Sequence, residues 1–594
     1  MTDNPDLIAE IRTLPMPGTS FDQLQNLATR LARQDAISGT PLDVRVIGSI
    51  TVDYLIEFLR LALVRWGMAP RLSAAPFGTL VASLMNAAVQ SAADITLLIP
   101  SHRDLLHAPD PGCTAQQARD AVAREVAFWL DLVRCVNGPV VLLGFDQPGV
   151  RILGELDTLR PGGRGWHIRM TNLGLAEALP INVGMIDAEA LQARVGQSLW
   201  PDARIWQLCK QPFAMEALPE IANTMGAAIA AITGRARKVL VLDLDNTLWG
   251  GIVGDDGVEG LELGPETAEG EAFLALQDYA RRLRQRGVLL AVCSKNREEA
   301  ARAPFRNHPA MILREEDIAC FVANFDDKPS NLREIARALN LGLDSLVFAD
   351  DNPVERALVR AELPDVLVVE LPEDPAGFVA AIEAVQAFPV HSITHEDLTR
   401  SASYRALAQA AVQRASTTDL DSFLQGLAPV LHIDRVDAAS VPRIAQLLAK
   451  TNQFRMNASR FDEAALLARP GDILALRLAD RLQDYGIVAV VVLQDEGEVL
   501  RVENWVMSCR VFSRRLEHAT LALLRARARM QGASRIVLAY VPTAKNVILP
   551  PVLAELGFSE QGAPNWLADA NGQAVAPDHM VIIDHRSEET NDVR

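Results

Sequence analysis

Cysteine is scarce and scattered in this chain of 594 residues, which holds six. Cys113, Cys135, Cys209, Cys293, Cys320 and Cys509 include no CxxC-type pair, which excludes a compact zinc or dithiol redox motif and suits a reduced, intracellular protein. Long apolar runs are missing too. One of the longest, Tyr485 to Leu493, falls well short of the roughly 18 residues that span a bilayer. The first twenty residues have neither a basic start nor a continuous apolar stretch, so no signal peptide is expected. Basic residues are in deficit, 57 against 75 acidic, for a net charge of −18. That balance argues against nucleic acid or an anionic membrane as partner, since both are held mainly by Lys and Arg. A cytoplasmic location is expected. What the chain does have is apolar content, 49% against 22% charged, too much for a disordered polypeptide. At roughly 100–200 residues per domain, three domains are expected.

Apolar runs alternate with amphipathic stretches, the mark of an α/β chain. In the first block Val44–Gly48, Ile95–Pro100 and Val140–Leu143 predict buried strands, Val52–Trp66 a helix and Ile221–Ile232 a closing helix. A boundary is placed at Gly234, giving domains over 1–234, 235–385 and 386–594. The second block opens with the strand Val239–Asp245. Phe273, Leu276, Ala280 and Leu283 then recur at helical spacing, with Gly287 as the C-cap. Val288–Ser294, Ser345–Asp350 and Val366–Leu371 predict further strands and Leu332–Leu339 a helix, so a doubly wound parallel sheet is expected. In the third block Ile473–Arg477, Gly486–Leu493 and Val499–Met507 predict an antiparallel meander. A helix over Arg514–Met530 and a strand over Arg535–Tyr540 follow, for an α+β domain.

In an open α/β sheet ligands sit beyond the carboxyl ends of the strands. Three such ends in the second block carry useful chemistry: Asp243 and Asp245 in VLVLDLDNTLWGG, Cys293, Ser294 and Lys295 in VCSKN, and Asp350 and Asp351 in FADDNP. Lys328 lies between them in NFDDKPSN. Carboxylates at neighbouring strand ends with a Lys and a hydroxyl nearby suit a magnesium ion and a phosphoryl group. A single Asp at a strand end would read as a turn or N-cap residue; an ordered set of four sites reads as phosphoryl-transfer machinery.

Asp243-Leu-Asp245-Asn-Thr247 resembles the DxDx[TV] signature of the haloacid dehalogenase (HAD) superfamily, with Ser294, Lys328 and Asp350–Asp351 in the order of its other motifs. The resemblance implies a Rossmann-like catalytic domain. Asp243 would be the nucleophile and Asp245 the general acid/base, which also offers its main-chain carbonyl to Mg2+. Asp350 and Asp351 would complete the metal site, with Thr247, Ser294 and Lys328 binding the phosphoryl group. The intervals Thr247–Ser294 and Ser294–Asp350 leave no room for a cap domain.

The longer strings DLDNTLWGGIVGDDG, VCSKN, NFDDKPSNLREIA and FADDNPVER are similar to the FkbH-like, HAD-IIIC subgroup. In the third block KTNQFRMN, WVMSCRVFSRRLE and PTAKN extend the resemblance, and its last part is similar to the GCN5-related N-acetyltransferase (GNAT) fold. Members of the subgroup take the glyceryl group of 1,3-bisphosphoglycerate, remove phosphate and load the acyl group through an enzyme thioester. The acceptor is the phosphopantetheine arm of a separate acyl carrier protein, in polyketide and related biosynthesis. Such chemistry asks for a cysteine: Cys293, whose thiol Lys295 would help to ionise, or Cys509 beside Arg510. A buried strand residue is the plainer role for Cys293.

Two departures stand out. The subgroup's CRVxGRG has Ser513 and Arg515 at its glycine positions, with Arg510, Arg514 and Arg515 left as candidate contacts for a pantetheine phosphate. DRFGDxG is here DRLQDYG. Arg281, Arg282, Arg284 and Arg286 read as a solvated helix face, with a carrier contact as the sharper alternative. In the first block Gly48-Ser49-Ile50-Thr51-Val52-Asp53 resembles an SGNH-hydrolase-related domain with an altered nucleophile string and no DxxH base near Asp202. Ser49 is there expected as a helix N-cap, and the domain as a degenerate binding or assembly module. The alternatives to acyl loading are a plain phosphatase and a scaffold with a vestigial site.

Overall fold

The computed structural model describes residues 5–586, apart from 15–17, 35, 87–92, 394–397, 399–403, 405–419 and isolated positions in the last third (452, 458, 460, 462, 513, 544, 545, 563 and 573–575). The chain packs as two compact units. One comprises residues 1–237, 356–372 and 380–392, the other 238–355, 373–379 and 393–594.

In the first unit five apolar segments form strands: β1 Thr40–Gly48, β2 Met68–Ala74, β3 Ile95–Ile99, β4 Val140–Leu143 and β5 Val183–Ile186. They lie in the order β2-β1-β3-β4-β5, every pairing parallel. Side chains alternate between faces along each strand, and the two faces bury separate cores. Val46, Leu97 and Val141 join Leu55, Leu59 and Ile229, from the helices Asp53–Arg65 and Leu218–Ile232. Ile47, Leu98 and Leu142 join Trp129, Val133 and Leu175, from the helices Ala115–Arg134 and Arg164–Ala178. The first helix pair packs closely because Gly226 faces Ala62: a Cβ on Gly226 would stand 3.0 Å from that of Ala62.

The expected N-cap role of Ser49 is not found. The helix begins after Val52, which makes no side-chain cap, and the Ser49 hydroxyl donates to Asp104 Oδ2 at 2.5 Å. An acceptor on the neighbouring β3 loop is closer at hand than the helix start three residues away.

The second sheet holds β6 Val239–Leu242, β7 Leu289–Lys295, β8 Ile318–Asn324, β9 Leu346–Ala349 and β10 Leu367–Val368, in the order β10-β9-β6-β7-β8. Leu242 pairs with Val292 on one side and Ala349 on the other, all parallel. β6 is therefore central, and the residues following these three positions come level at one end of the sheet. The helix predicted around Phe273 spans Ala268–Gln285, and Gly287 takes φ 98° just beyond it. Among the described residues, Thr247 to Ser294 holds that helix and two short turns, and Ser294 to Asp350 only sheet elements, their helices and short turns, so neither interval carries a cap.

The third sheet is mixed: β11 Val430–Asp434, β12 Phe454–Arg455, β13 Ile473–Ala479, β14 Asp484–Asp495, β15 Val499–Met507, β16 Arg535–Ala539, β17 Ser559–Glu560, β18 Asn565–Asp569 and β19 Val581–Asp584. Its main path runs β17-β18-β16-β15-β14-β13-β11-β19, and β12 pairs with β15. β13–β14–β15 is the expected antiparallel meander. The helix Leu516–Gln531 then returns the chain to β16, parallel to β15. The multi-domain α/β architecture with parallel sheets is as expected.

Candidate active site

The carboxyl end of β6 is shaped by its own sequence. Asp243 N–H donates to Ala349 O at 3.0 Å, extending the sheet by one residue, and Leu244 is fully buried. Asn246 then takes φ 55°, a left-handed conformation that Asn tolerates better than most residues, and its Oδ1 accepts from Gly251 N–H at 3.0 Å. Buried Thr247 ties this loop to the end of β9: its hydroxyl donates to Asp351 Oδ1 at 3.3 Å and accepts from Asp351 N–H at 3.2 Å.

Lys328 opens the helix Lys328–Ala338 behind the N-cap Asp327, and its side chain is buried, with only 1% of the residue exposed. The ammonium lies 2.8 Å from Asp243 Oδ1 and 3.1 Å from Asp350 Oδ2. It also donates to Cys293 O at 2.7 Å. One cation thus joins the ends of β6, β7 and β9. Asp243, Asp350 and Asp351 can each present an oxygen within 4.8 Å of the others. Burial, reinforced by the charge on Asp243, pushes Asp350 up to about 6, and raises Asp351 for the same reasons. For Lys328 burial acts downward, but Asp243, Cys293 and Asp350 outweigh it and hold the ammonium above the ordinary lysine value. Three crowded hard-oxygen donors with excess negative charge fit a divalent cation such as Mg2+.

Asp245 stands apart from that cluster. Its Oδ1 accepts from Trp249 Nε1 at 2.9 Å and from Val253 N–H at 3.0 Å, and its Oδ2 from Asn296 Nδ2 at 3.0 Å. Burial raises its carboxyl above the usual range, against the lowering effect of the Val253 and Trp249 hydrogen bonds. Trp249 and Asn296 lie inside the strings that carry the family resemblance, yet sequence reasoning gave them no role; a polar or indole N–H next to the assigned residues was the available signal.

Ser294 is buried at the end of β7, two residues past the Leu242–Val292 pair. Lys295 does not join the carboxylates: its ammonium pairs with Glu355 Oε1 at 2.5 Å. Cys293 is fully buried, and burial pushes its thiol up to about 12, with Lys328, rather than Lys295, as the opposing cation. The Cys509 backbone opens the 3-10 turn Cys509–Val511; its side chain lies outside the described residues, as does Ser513.

Two of the three candidate arginines of the third block are engaged within it. Arg514 is buried, its Nε 3.3 Å from Asp480 Oδ2 and its Nη2 3.3 Å from Tyr485 Oη. Tyr485 in turn donates to Asp480 at 3.1 Å, so DRLQDYG supplies both partners of Arg514. Arg510 is buried as well and donates to Ser508 Oγ at 3.2 Å. Arg515 takes φ 56°, the conformation for which glycine is suited. On the helix Ala268–Gln285, Arg281 and Arg282 pair with Asp278, and Arg284 with Asp317, consistent with a solvated face.

No protein-family profile and no curated protein matches the chain. Among solved structures it is similar to the N-terminal part of BF1531 from Bacteroides fragilis, which contains a phosphatase domain and was crystallised in complex with Mg. The identity is 30% and the TM-score 0.57, over 63% of this chain and 100% of that one. Weaker likenesses are to the ribosomal-protein-S18-alanine N-acetyltransferase of Escherichia coli, 14% identical over 24% of this chain and 96% of that one with a TM-score of 0.19. Ard1 of Thermoplasma volcanium is 11% identical over 24% and 98%, with a TM-score of 0.20. With identity at that level across the whole of the BF1531 segment, the chain belongs to the family of phosphatase-domain proteins to which BF1531 belongs.

Proposed function

We propose that this chain is a magnesium-dependent phosphatase that couples phosphate removal to acyl transfer. Its substrate is a small phosphorylated three-carbon acyl donor, 1,3-bisphosphoglycerate. A cysteine thiolate attacks the acyl carbon and displaces the acyl phosphate as inorganic phosphate. The resulting thioester passes to the phosphopantetheine thiol of a separate acyl carrier protein, which frees the cysteine, and the ester phosphate is removed at the aspartate site. The observation that carries the phosphatase half is the convergence of Asp243, Asp350 and Asp351 around buried Lys328, in a chain related to a phosphatase domain that binds Mg. Asp243, Asp350 and Asp351 would hold Mg2+ through their carboxylates, with the Asp245 main-chain carbonyl as a further ligand. When bound, the ion offsets carboxylate repulsion and neutralises phosphate oxygens.

The chain's own groups supply the rest. The Asp243 carboxylate attacks phosphorus and forms an aspartyl-phosphate, splitting one difficult hydrolysis into two displacements. Asp245 gives a proton to the leaving oxygen and later takes one from the attacking water; burial raises its carboxyl in the direction the first task needs. Lys328, Thr247 and Ser294 hold the phosphoryl oxygens. For the thioester, a fully buried Cys293 with its thiol near 12 is a poor nucleophile, which moves the assignment toward Cys509. The same burial favours the second reading, a phosphatase without acyl transfer.

We assign the domains to residues 1–234, 235–385 and 386–594 and the location to the cytoplasm. Among the described residues no helix is long and apolar enough to cross a membrane. The test is to incubate the protein with Mg2+, a 1,3-bisphosphoglycerate-generating system and a phosphopantetheinylated carrier, then to weigh both proteins intact. A glyceryl-sized adduct on the enzyme and then on the carrier is expected. Phosphate release with no adduct on either would overturn acyl transfer and leave the phosphatase.

A further inference from the structure

The strand order β2-β1-β3-β4-β5 of the first sheet reverses between β1 and β3. In parallel sheets of this order the crevice beyond the carboxyl ends at that reversal is where ligands bind. The loops there are held in a fixed arrangement. Asp104 Oδ2 accepts from the Ser49 hydroxyl at 2.5 Å and from Ser101 N–H at 2.7 Å, joining the β1 and β3 ends. Thr51 donates through its hydroxyl to Cys209 O at 2.5 Å and through its N–H to Lys210 O at 3.2 Å. That docks the end of the helix Ala203–Cys209 onto the same crevice.

Three cations meet on this framework. The Arg103 guanidinium lies 3.8 Å from the centre of the Trp206 ring and the Lys210 ammonium 5.5 Å from it. Arg164 reaches the same loop and donates to His102 O at 3.3 Å. None of the three forms an ion pair among the described residues, and Asp104 is already committed to Ser49 and Ser101. This contrasts with Arg281, Arg282, Arg302 and Arg306, each paired to a carboxylate. Burial and the charge on Arg164 hold Arg103 below the ordinary arginine value, with Asp146 and Asp104 acting the other way. In a chain of net charge −18, three cations without a contact ion pair at the ligand-binding end of a sheet, with Asp146 and Asp104 acting on Arg103 only at longer range, are a site for an anion of more than one charge. Leu106, just past β3, and Leu208, on the helix that carries Trp206, are exposed, so the ligand has an organic portion as well.

We propose that the crevice at the β1/β3 carboxyl ends binds an organic phosphate monoester, its phosphate held by Arg103, Arg164 and Lys210 and its organic part against Trp206. This site is separate from the carboxylate cluster and does not depend on the function assigned to that cluster. The ligand has two candidate sources, a small phosphorylated acid and a pantetheine arm, which share this chemistry.

Calorimetric titration of the full-length protein in EDTA with 3-phosphoglycerate, 4′-phosphopantetheine and inorganic phosphate tests it. At least one organic phosphate is expected to bind. Arg103→Ala, Arg164→Ala and Lys210→Ala should each weaken that binding about tenfold, and Asp243→Asn should leave it within twofold. Should Arg103→Ala disturb folding, Arg103→Lys keeps the charge and should keep most of the affinity, as Trp206→Phe keeps the ring. The tighter of the two organic probes identifies the source. Absence of binding by either at millimolar concentration, affinity unmoved by the Arg and Lys substitutions, or inorganic phosphate binding as tightly as both overturns the proposal.

Discussion

Lys328 does for the candidate site what a bound cation would do in part: it sits between Asp243 and Asp350 and limits their repulsion. Breaking a buried charge pair by removing one partner costs about 3–5 kcal/mol. Lys328→Met should therefore lower the melting temperature in EDTA, and Mg2+ should raise it more in the variant than in the wild type. Equal Mg2+ shifts in the two proteins would contradict the shared role of Lys328 and the metal, and no shift in either would contradict a metal role for these carboxylates. Asn296 tests the neighbouring carboxylate. A hydrogen bond to a charged group contributes about 1.5–3 kcal/mol, so Asn296→Ala, which frees Asp245 Oδ2, should reduce kcat at least tenfold while KM moves little. An unchanged kcat would show that Asp245 does not need this donor. At this scale Asp243, Lys328 and Asp350–Asp351 were legible because their order along the chain matches a known pattern. The partners of Asp245 were not, since Trp249 and Val253 reach it through a loop that no periodicity describes.

In the first unit two buried carboxylates act as hydrogen-bond anchors. Glu125, on the helix Ala115–Arg134, accepts from Leu106 N–H at 2.9 Å, His107 N–H at 2.7 Å and Trp129 Nε1 at 3.1 Å. Asp146, just past β4, accepts from His102 N–H at 2.9 Å and Trp200 Nε1 at 3.1 Å. Burial alone would raise both, but these donors, with His167 on Glu125 and the His102 ring on Asp146, outweigh it and hold both below the usual carboxylate range. Depressed folded-state values stabilise the fold at any pH above the unfolded value of about 4, and the gain is lost as pH falls through them. Urea unfolding at successive pH values should show Asp146→Asn less stable than the wild type at pH 7, with the two curves converging toward pH 3. A constant difference across that range would contradict the sign.

At the start of the helix Leu516–Gln531, Arg515 holds φ 56°, which costs of order 1 kcal/mol in a non-glycine residue. Arg515→Gly should leave the melting temperature unchanged or higher, and a clear loss would mean that the side chain stabilises more than its backbone costs. Sequence reading of elements worked where a strand is buried on both faces, as β6 and β9 are. It passed over β8, whose half-exposed edge pattern breaks the apolar run, and over β2, which ends in small polar and exposed residues.

At the scale of the molecule, the three sheets differ in charge: a parallel sheet with Arg103, Arg164 and Lys210 near its carboxyl end, a parallel sheet with a carboxylate cluster, and a mixed sheet beside which Arg510 and Arg514 hydrogen-bond within their own block. The succession of two parallel sheets and a later mixed one was legible from the switch between helical and strand periods along the chain. The fate of Arg514 was not, because its burial and its pairing with Asp480 and Tyr485 depend on segments far apart in sequence.

The account stands on Asp243 as the nucleophile of a Mg2+-dependent phosphatase. Release of the ester phosphate from a phosphorylated three-carbon acid, measured for wild type and Asp243→Asn with Mg2+ and with EDTA, addresses it most directly. The account predicts release only in the wild type with Mg2+, with the variant lower by about a thousandfold or more; release by Asp243→Asn at near the wild-type rate, or undiminished release in EDTA, would contradict it.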